Sequence, residues 1–492
     1  MTESYLLAID QGTTNTKVII VNSLGQDVAQ ASRPVNITFP KPAWVEQDAL
    51  QIWQSVRAAL DDCLTKAKVP IAAIGISNQR ESVLLWERST GKPLGPVISW
   101  QCRRSAEFCA GLEQKGLADF LHKRTGLTID PLFSASKARW LLDHSQEGQK
   151  RAEAGELCIG TVDSWLLYKL TGHKAHKTDV TNASRTQLFN LESQSWDDDL
   201  LSIFGIPKVA LPEVLPSSSH FGETVALGEL AAGLPIAGMI GDSHGALFGQ
   251  AGFERGSVKA TYGTGSSLMT PTEKLISSDH GLSSTIAWGQ KTGVTYALEG
   301  NISSTGAAVA WLVDLLGLES PKALTELAQT VESSEGVSFV PAFVGLGAPY
   351  WKDKARGTIS GLTRGSSRAH MARAGLESIV FQIRDVFDLM AQEAQSELNQ
   401  LMADGGASSS DFLMQLQADV LGVPVLRNRS EHLSALGAAY LAGLELGLYG
   451  GLEAIAALPR ELDRFEPKLS ESSRKAAYDG WQAAIRRTLF EA

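Results

Sequence analysis

Asp10-Gln11-Gly12-Thr13-Thr14-Asn15-Thr16-Lys17, near the start of the chain, carry the groups that a phosphate chain asks for. Gly12 lets backbone N–H groups come close, Thr13 and Thr14 bring hydroxyls, Lys17 a cation, and Asp10 a carboxylate for Mg²⁺. The same residues would also suit a plain hairpin turn. Tyr262-Gly263-Thr264-Gly265-Ser266-Ser267 mirrors them in the other half, as a flexible tip able to close on phosphates from the opposite side. Asp242 follows an apolar run in Ile240-Gly241-Asp242-Ser243-His244, as at a strand end that opens on a cleft. A carboxylate there can accept an alcohol proton while an O–P bond forms, or it can simply cap a helix over 246–248. His244 reads as a hydrogen-bonding neighbour rather than an acid or base.

Two further segments suit an organic substrate. In Ser77-Asn78-Gln79-Arg80-Glu81-Ser82, Arg80 can donate to vicinal hydroxyls and Glu81 accept from them, and Trp100 can wall off a carbon chain. A surface Arg80–Glu81 pair and a core Trp100 are the plainer alternatives. The turn Gly405-Gly406 exposes backbone that can lie flat against a purine.

These residues need a frame. Leu6–Ile9 and Val18–Val21 predict one hairpin, and Val258–Tyr262 with Leu268–Met269 a second. One such tip in each half predicts two related α/β domains, 1–247 and 248–492, facing each other across a cleft. Residues 49–65 predict a helix after an Asp48 N-cap. Residues 72–76 predict a buried strand with 83–86 as its neighbour. Ile379, Ile383, Val386 and Met390 mark one face of a long helix.

Composition narrows the function classes. A chain of 492 residues exceeds a single core, and 43% apolar with 20% charged residues is ordinary for a globular protein. The net charge of −10 disfavours nucleic acid and anionic membranes as partners. The start of the chain lacks a secretory pattern, and the apolar window 225–240 is broken by Glu229, Pro235 and three glycines. Cys63, Cys102, Cys109 and Cys158 have no metal-type spacing, so reduced thiols in the cytoplasm are expected.

The motifs D-Q-G-T-T, G-I-S-N-Q-R-E, W-Q-C-R-R, T-G-L-T-I-D-P, V-T-N-A-S-R-T, G-D-S-H-G-A-L-F-G-Q, T-Y-G-T-G, V-P-A-F-V-G-L-G-A-P-Y-W and L-G-A-A-Y-L-A-G occur in that order between about Leu6 and Trp481. Together they closely resemble the FGGY carbohydrate kinases, and within them the glycerol kinase branch. The resemblance implies two actin-like (ribonuclease H-type) domains flanking a nucleotide cleft, with ATP and Mg²⁺ as cofactors. It implies nucleotide contacts at Thr13, Thr14, Asn15, Lys17, Thr264, Gly306, Ala310, Gly406 and Ser410. Asp242 would be the general base and Asp10 the metal-associated carboxylate. Arg80, Glu81 and Trp100 fall where the branch holds its polyol. A cytoplasmic homo-oligomer, dimer or tetramer, is also implied.

Departures from the branch concentrate on the substrate. Leu132 stands for its Tyr, Ser243 for its Gln and Ser267 for its Phe. Lys17 replaces Arg, Ser410 and Asp411 replace an Asn pair, and Ala310 replaces Gln. The Gly-Gly-Thr-Arg loop that binds fructose bisphosphate in some of these enzymes has no counterpart between Thr224 and Pro235. A roomier, more polar pocket implies a polyol or sugar of four or five carbons. Glycerol is the second reading, and an ATP-driven actin- or chaperone-like module without a small substrate the third.

Overall fold

Each Gly/Thr tip closes an antiparallel hairpin in the computed structural model, which describes residues 4–352 and 354–490. In the first half β1 (Tyr5–Gln11) pairs with β2 (Asn15–Asn22), and β3 (Asp27–Pro34) follows. α1 (Ala49–Ala67) starts where Asp48 accepts a hydrogen bond from the Leu50 N–H at 2.8 Å, and leads to β4 (Ile71–Asn78). After β5 (Val83–Glu87), the strands β6 (Ser218–Glu223) and β7 (Pro235–Gly241) complete a sheet ordered β6-β7-β4-β1-β2-β3.

The second half repeats this plan. It contributes β8 (Ser257–Tyr262), β9 (Ser266–Thr272), β10 (Ser283–Gln290), β11 (Gly293–Ile302), β12 (Gln400–Asp404), β13 (Val425–Asn428) and β14 (Leu462–Phe465). Their order is β10-β11-β9-β8-β12-β13-β14. From β3 to β6 and from β11 to β14, the successive pairings run antiparallel, antiparallel, parallel, parallel, antiparallel. Six strands therefore share one topology, and β10 is an added edge.

The expectation that 83–86 neighbours 72–76 fails. β4 lies between β1 and β7, both parallel to it, while β5 belongs to a separate four-stranded sheet and pairs antiparallel with Leu157–Thr161. The Gln79 N–H still bonds to the Gln11 carbonyl at 2.7 Å, and the chain then turns away at residues 80–82. A short apolar run shows burial without naming its partner strand.

Alternate side chains of the central strands feed two cores, as a pleated strand requires. Leu7, Ile9, Val18 and Ile20 meet Ile52, Val56 and Leu60 of α1. Leu6, Ala8, Ile19 and Val21 meet Leu436, Ala438, Ala439 and Leu441 of a helix from the far end of the sequence. In chain order the helices that matter are α2 (Asp242–Gly249), α3 (Gly306–Leu315), α4 (Arg368–Ala394), α5 (Asp411–Leu421) and this one, α6 (Leu433–Glu445). The four periodic residues of α4 are all fully buried, as their spacing predicts. Among the described residues no helix is long and apolar enough to cross a membrane, and the four cysteines are unpaired and buried.

α6 approaches α2 and the first sheet backbone to backbone. A Cβ at Gly437 would stand 2.1 Å from the Gly245 carbonyl oxygen, and one at Gly75 would stand 2.2 Å from that of Ala438. Neither obstacle is a flexible side chain, so Gly437→Ala must push α6 off α2. The expected loss is about 1–3 kcal/mol, the range for overpacking, read as an earlier urea midpoint at unchanged slope. Stability within about 0.5 kcal/mol of the parent would refute this contact, being the scale of an ordinary surface change.

Candidate active site

α2 begins directly where β7 ends, and Asp242 is its first residue. Gly241 holds the N-cap position in extended conformation, so Asp242 is not the cap residue. Its backbone is pinned on both sides: Gly241 N–H donates to Thr181 Oγ1 at 2.9 Å, and Ser434 Oγ of α6 donates to the Asp242 carbonyl at 2.9 Å. The carboxylate keeps 38% of its side-chain surface open to the cleft.

Arg80 and Glu81 leave β4 through a tight turn, with Glu81 at φ 59° and Ser82 N–H on the Arg80 carbonyl at 2.7 Å. A left-handed backbone at a non-glycine residue is costly and here aims two adjacent side chains apart. Arg80 Nε lies 3.4 Å from Asp242 Oδ1 and Nη2 lies 2.8 Å from Glu299 Oε1. Glu81 instead accepts from Arg185 Nε at 2.7 Å, and Arg185 Nη1 lies 2.8 Å from Glu299 Oε2. The surface-pair alternative for Arg80 and Glu81 is thus excluded.

Sequence reasoning gave no role to Arg185, Glu299 and Lys259, yet they complete the cluster. Lys259 of β8, wholly buried, donates to Ser243 Oγ at 2.8 Å. Ser243 Oγ is 3.3 Å from Ser267 Oγ, which donates to Glu299 Oε1 at 3.1 Å. One lone charge inside each apolar strand, Val258-Lys259-Ala260 and Leu298-Glu299-Gly300, was the available signal. Leu132 is half-buried in a neighbouring loop, where its carbonyl accepts from buried Lys137. In the same loop Phe133 lies 5.1 Å beneath the Arg185 guanidinium, and Ser134 Oγ donates to the Glu81 carbonyl at 3.0 Å.

Burial and charge compete throughout. Burial raises the pKa of Asp242, against the pull of Arg80. Burial would also raise Glu299, but Arg185 and Arg80 outweigh it and hold that carboxyl well below the usual range. Arg80 loses stability as a cation by burial and regains more from Glu299, Glu81 and Asp242. Burial lowers Lys259, and it lowers Lys137 to about 7. His244, buried and 3.3 Å from Thr285 Oγ1, is kept neutral by burial and by Arg80.

At the first hairpin tip, Trp100 is half-buried rather than core, and its indole N–H donates to Thr13 Oγ1 at 2.9 Å. Thr14 is exposed, Asn15 Nδ2 donates to Ser32 Oγ at 2.6 Å, and Lys17 Nζ to the Glu431 carbonyl at 3.2 Å. In the second hairpin the start of α3 is already occupied. The N–H groups of Thr305 and Ala307 bond to the Thr264 carbonyl, and that of Gly306 to the Gly263 carbonyl. Thr264 and Gly306 are therefore together, with Ala310 exposed one turn along α3. Gly406 and Ser410 share the turn after β12, where Ser410 Oγ caps α5 by accepting from Leu413 N–H at 3.2 Å. Gly405 has φ +90°, and a Cβ there would strike the Tyr262 carbonyl oxygen at 2.6 Å, so this turn sits tight on the second hairpin. Nothing lies within 4 Å of a Cβ at Gly406, which leaves its face open.

Asp10, in register with Ser77 of β4, has its pKa pushed up to about 6 by burial and then by Asp242. Its Oδ1 is buried without a partner, as a carboxylate awaiting a cation would be. Mg²⁺ in phosphoryl-transfer sites takes one or two carboxylates besides phosphate and water, so this donor set fits it.

Two family models together cover most of the chain. The N-terminal domain of the FGGY family of carbohydrate kinases matches residues 5–249 and its C-terminal domain residues 258–446. An apulose kinase from Pectobacterium atrosepticum is 49% identical over 98% of both chains. A glycerol kinase from Bacillus licheniformis is 46% identical, again over 98% of each. The crystal structure of Plasmodium falciparum glycerol kinase with ADP superposes with a TM-score of 0.95 at 34% identity, covering 100% of this chain and 99% of that one. The duplicated sheet is thus a pair of actin-like, ribonuclease H-type domains, and the reading as an ATP-driven module without a small substrate falls away. The chain belongs to the FGGY family of carbohydrate kinases, phosphotransferases that act on an alcohol group of a sugar or polyol.

Proposed function

We propose that this kinase uses ATP to phosphorylate a hydroxyl of a polyol or sugar of four or five carbons, with Asp242 as the general base. The observation that carries the reading is the polar run Lys259–Ser243–Ser267–Glu299 beside Arg80 and Asp242. Two short hydroxyls backed by opposite charges suit a substrate that brings an extra oxygen to that wall. The 49% identity to an apulose kinase supports it.

Arg80 Nη1, buried without a protein partner, is free to bind a substrate oxygen. Asp242 would take the alcohol proton through its solvent-facing oxygens, while Arg80 keeps it ionised and Trp100 covers the carbon chain. Thr13, Thr14, Asn15 and Lys17 would hold the phosphates from one side and Thr264 and Gly306 from the other. Ala310, Gly406 and Ser410 would line the adenosine. Asp10 would hold Mg²⁺, which when bound neutralises phosphate charge during transfer.

A coupled ADP-release assay should decide the acceptor. Across glycerol and the four- and five-carbon polyols and ketoses, apulose included, a longer acceptor should exceed glycerol by about tenfold or more in kcat/KM. Glycerol is the second reading because Arg80 and Trp100 stand where that branch holds it and a glycerol kinase is 46% identical. If glycerol ranked first, that reading would replace ours.

A further inference from the structure

Between the proposed phosphate loop and the proposed acceptor wall runs a closed ring of hydrogen bonds. Trp100 Nε1 donates to Thr13 Oγ1 at 2.9 Å, and Gln47 Nε2 donates to the Thr13 carbonyl at 2.6 Å. Gln79 Nε2 donates to Gln47 Oε1 at 3.0 Å, and Ser82 Oγ donates to Gln79 Oε1 at 2.9 Å. The Trp100 backbone N–H closes the ring on Ser82 Oγ at 3.1 Å. Gln79 also donates to Gln11 Oε1 at 3.0 Å, and Gln11 Nε2 donates to the Gly12 carbonyl at 2.7 Å.

Gln11, Gln47, Gln79 and Ser82 are almost wholly excluded from solvent. Burying an amide costs free energy unless every donor and acceptor is met, and a fully met network is stiff and geometrically single-valued. Apolar side chains would fill the same space without that demand. The ring instead fixes both the hydroxyl and the carbonyl of Thr13, and it joins them to the residue before Arg80 and to the Trp100 backbone. We propose that Gln79 is a positioning residue that couples the two substrate sites, so that an acceptor against Trp100 and Arg80 strengthens nucleotide binding at Thr13, and the reverse. The coupling rests on the functional reading above, which assigns the two faces, and it is reciprocal by thermodynamic necessity.

The measurement is calorimetric binding of a non-hydrolysable ATP analogue, with and without saturating glycerol or apulose, the acceptors named for the matched relatives. In the parent enzyme the acceptor should tighten nucleotide binding about tenfold, within the usual range of site-to-site coupling. Gln79→Met keeps the volume and removes the amide, and the tightening should fall below about twofold. Ser82→Ala opens the ring at a different bond and should do the same, deciding the matter if the first variant does not fold. A packing role alone would weaken each ligand separately and leave the ratio intact. A ratio near one in the parent, or an unchanged ratio in either folded variant, overturns the proposal. Failure of every acceptor to be phosphorylated would instead sink the functional reading, which the turnover assay reports independently.

Discussion

Asp242→Asn is expected to lower kcat by about 10²–10⁴-fold while an ATP analogue still binds, since on the proposed reading it removes the proton acceptor. The substitution is nearly isosteric, and the carbonyl contact with Ser434 and the bond at Gly241 are made by backbone, so the strand end should stay in place. The charge facing Arg80 is lost as well, so urea unfolding of the variant separates a folding loss from a chemical one. The pH dependence gives a second handle. A base must be ionised, and burial raises the pKa of Asp242 above that of a free carboxylate against the opposing pull of Arg80. Activity should therefore fall as pH drops through that raised value and level off above it. The acidic limb assigned to this group should vanish in the Asn variant. Turnover close to that of the parent would remove Asp242 from the base position.

Glu299→Gln should be nearly as damaging for a different reason. Glu299 is buried and faces two guanidinium groups that both come from the first half of the chain. Gln keeps the shape and loses the charge, so Arg80 and Arg185 are left as buried cations with less to balance them. Breaking a buried pair from one side costs about 3–5 kcal/mol. Arg80 would swing toward Asp242, its remaining carboxylate, and kcat/KM should fall by about 10²-fold or more. Urea unfolding and steady-state kinetics report the two parts separately. Glu299→Asp, which restores charge on a shorter stem, should recover part of both. A Gln variant with stability within about 1 kcal/mol of the parent would show that the cluster tolerates an unpaired charge.

Local features were readable in the sequence and distant ones were not. Both hairpins could be found because apolar runs flank Gly/Thr tips, and α1 and α4 because their apolar residues recur at helical spacing. Asp242 and Arg80 stood out because glycine or polar residues follow an apolar run there. Arg185 carries no such local mark, and the lone charge of Glu299 inside an apolar strand does not name its partners. Their meaning lies in partners 104 positions away in the case of Arg185 with Glu81, and across the domain cleft for Glu299. The sheet to which β5 belongs and the place of α6 were hidden for the same reason. Nothing in a run of small apolar residues tells which distant surface it will cover.

The late position of α6 in the chain has a consequence for how the protein is made. One face of the first sheet, with Leu6, Ala8, Ile19 and Val21, is covered by α6, which leaves the ribosome last among these partners. Between Gly241 and Leu433 lies most of the second half, and at about 5–20 residues per second its synthesis takes on the order of tens of seconds. During that interval a nascent first half has a completed β-hairpin and an uncovered apolar floor beneath the strand end at Gly241. Its protection then falls to chaperones or to provisional contacts, and a chain terminated before residue 433 would carry the same open floor permanently.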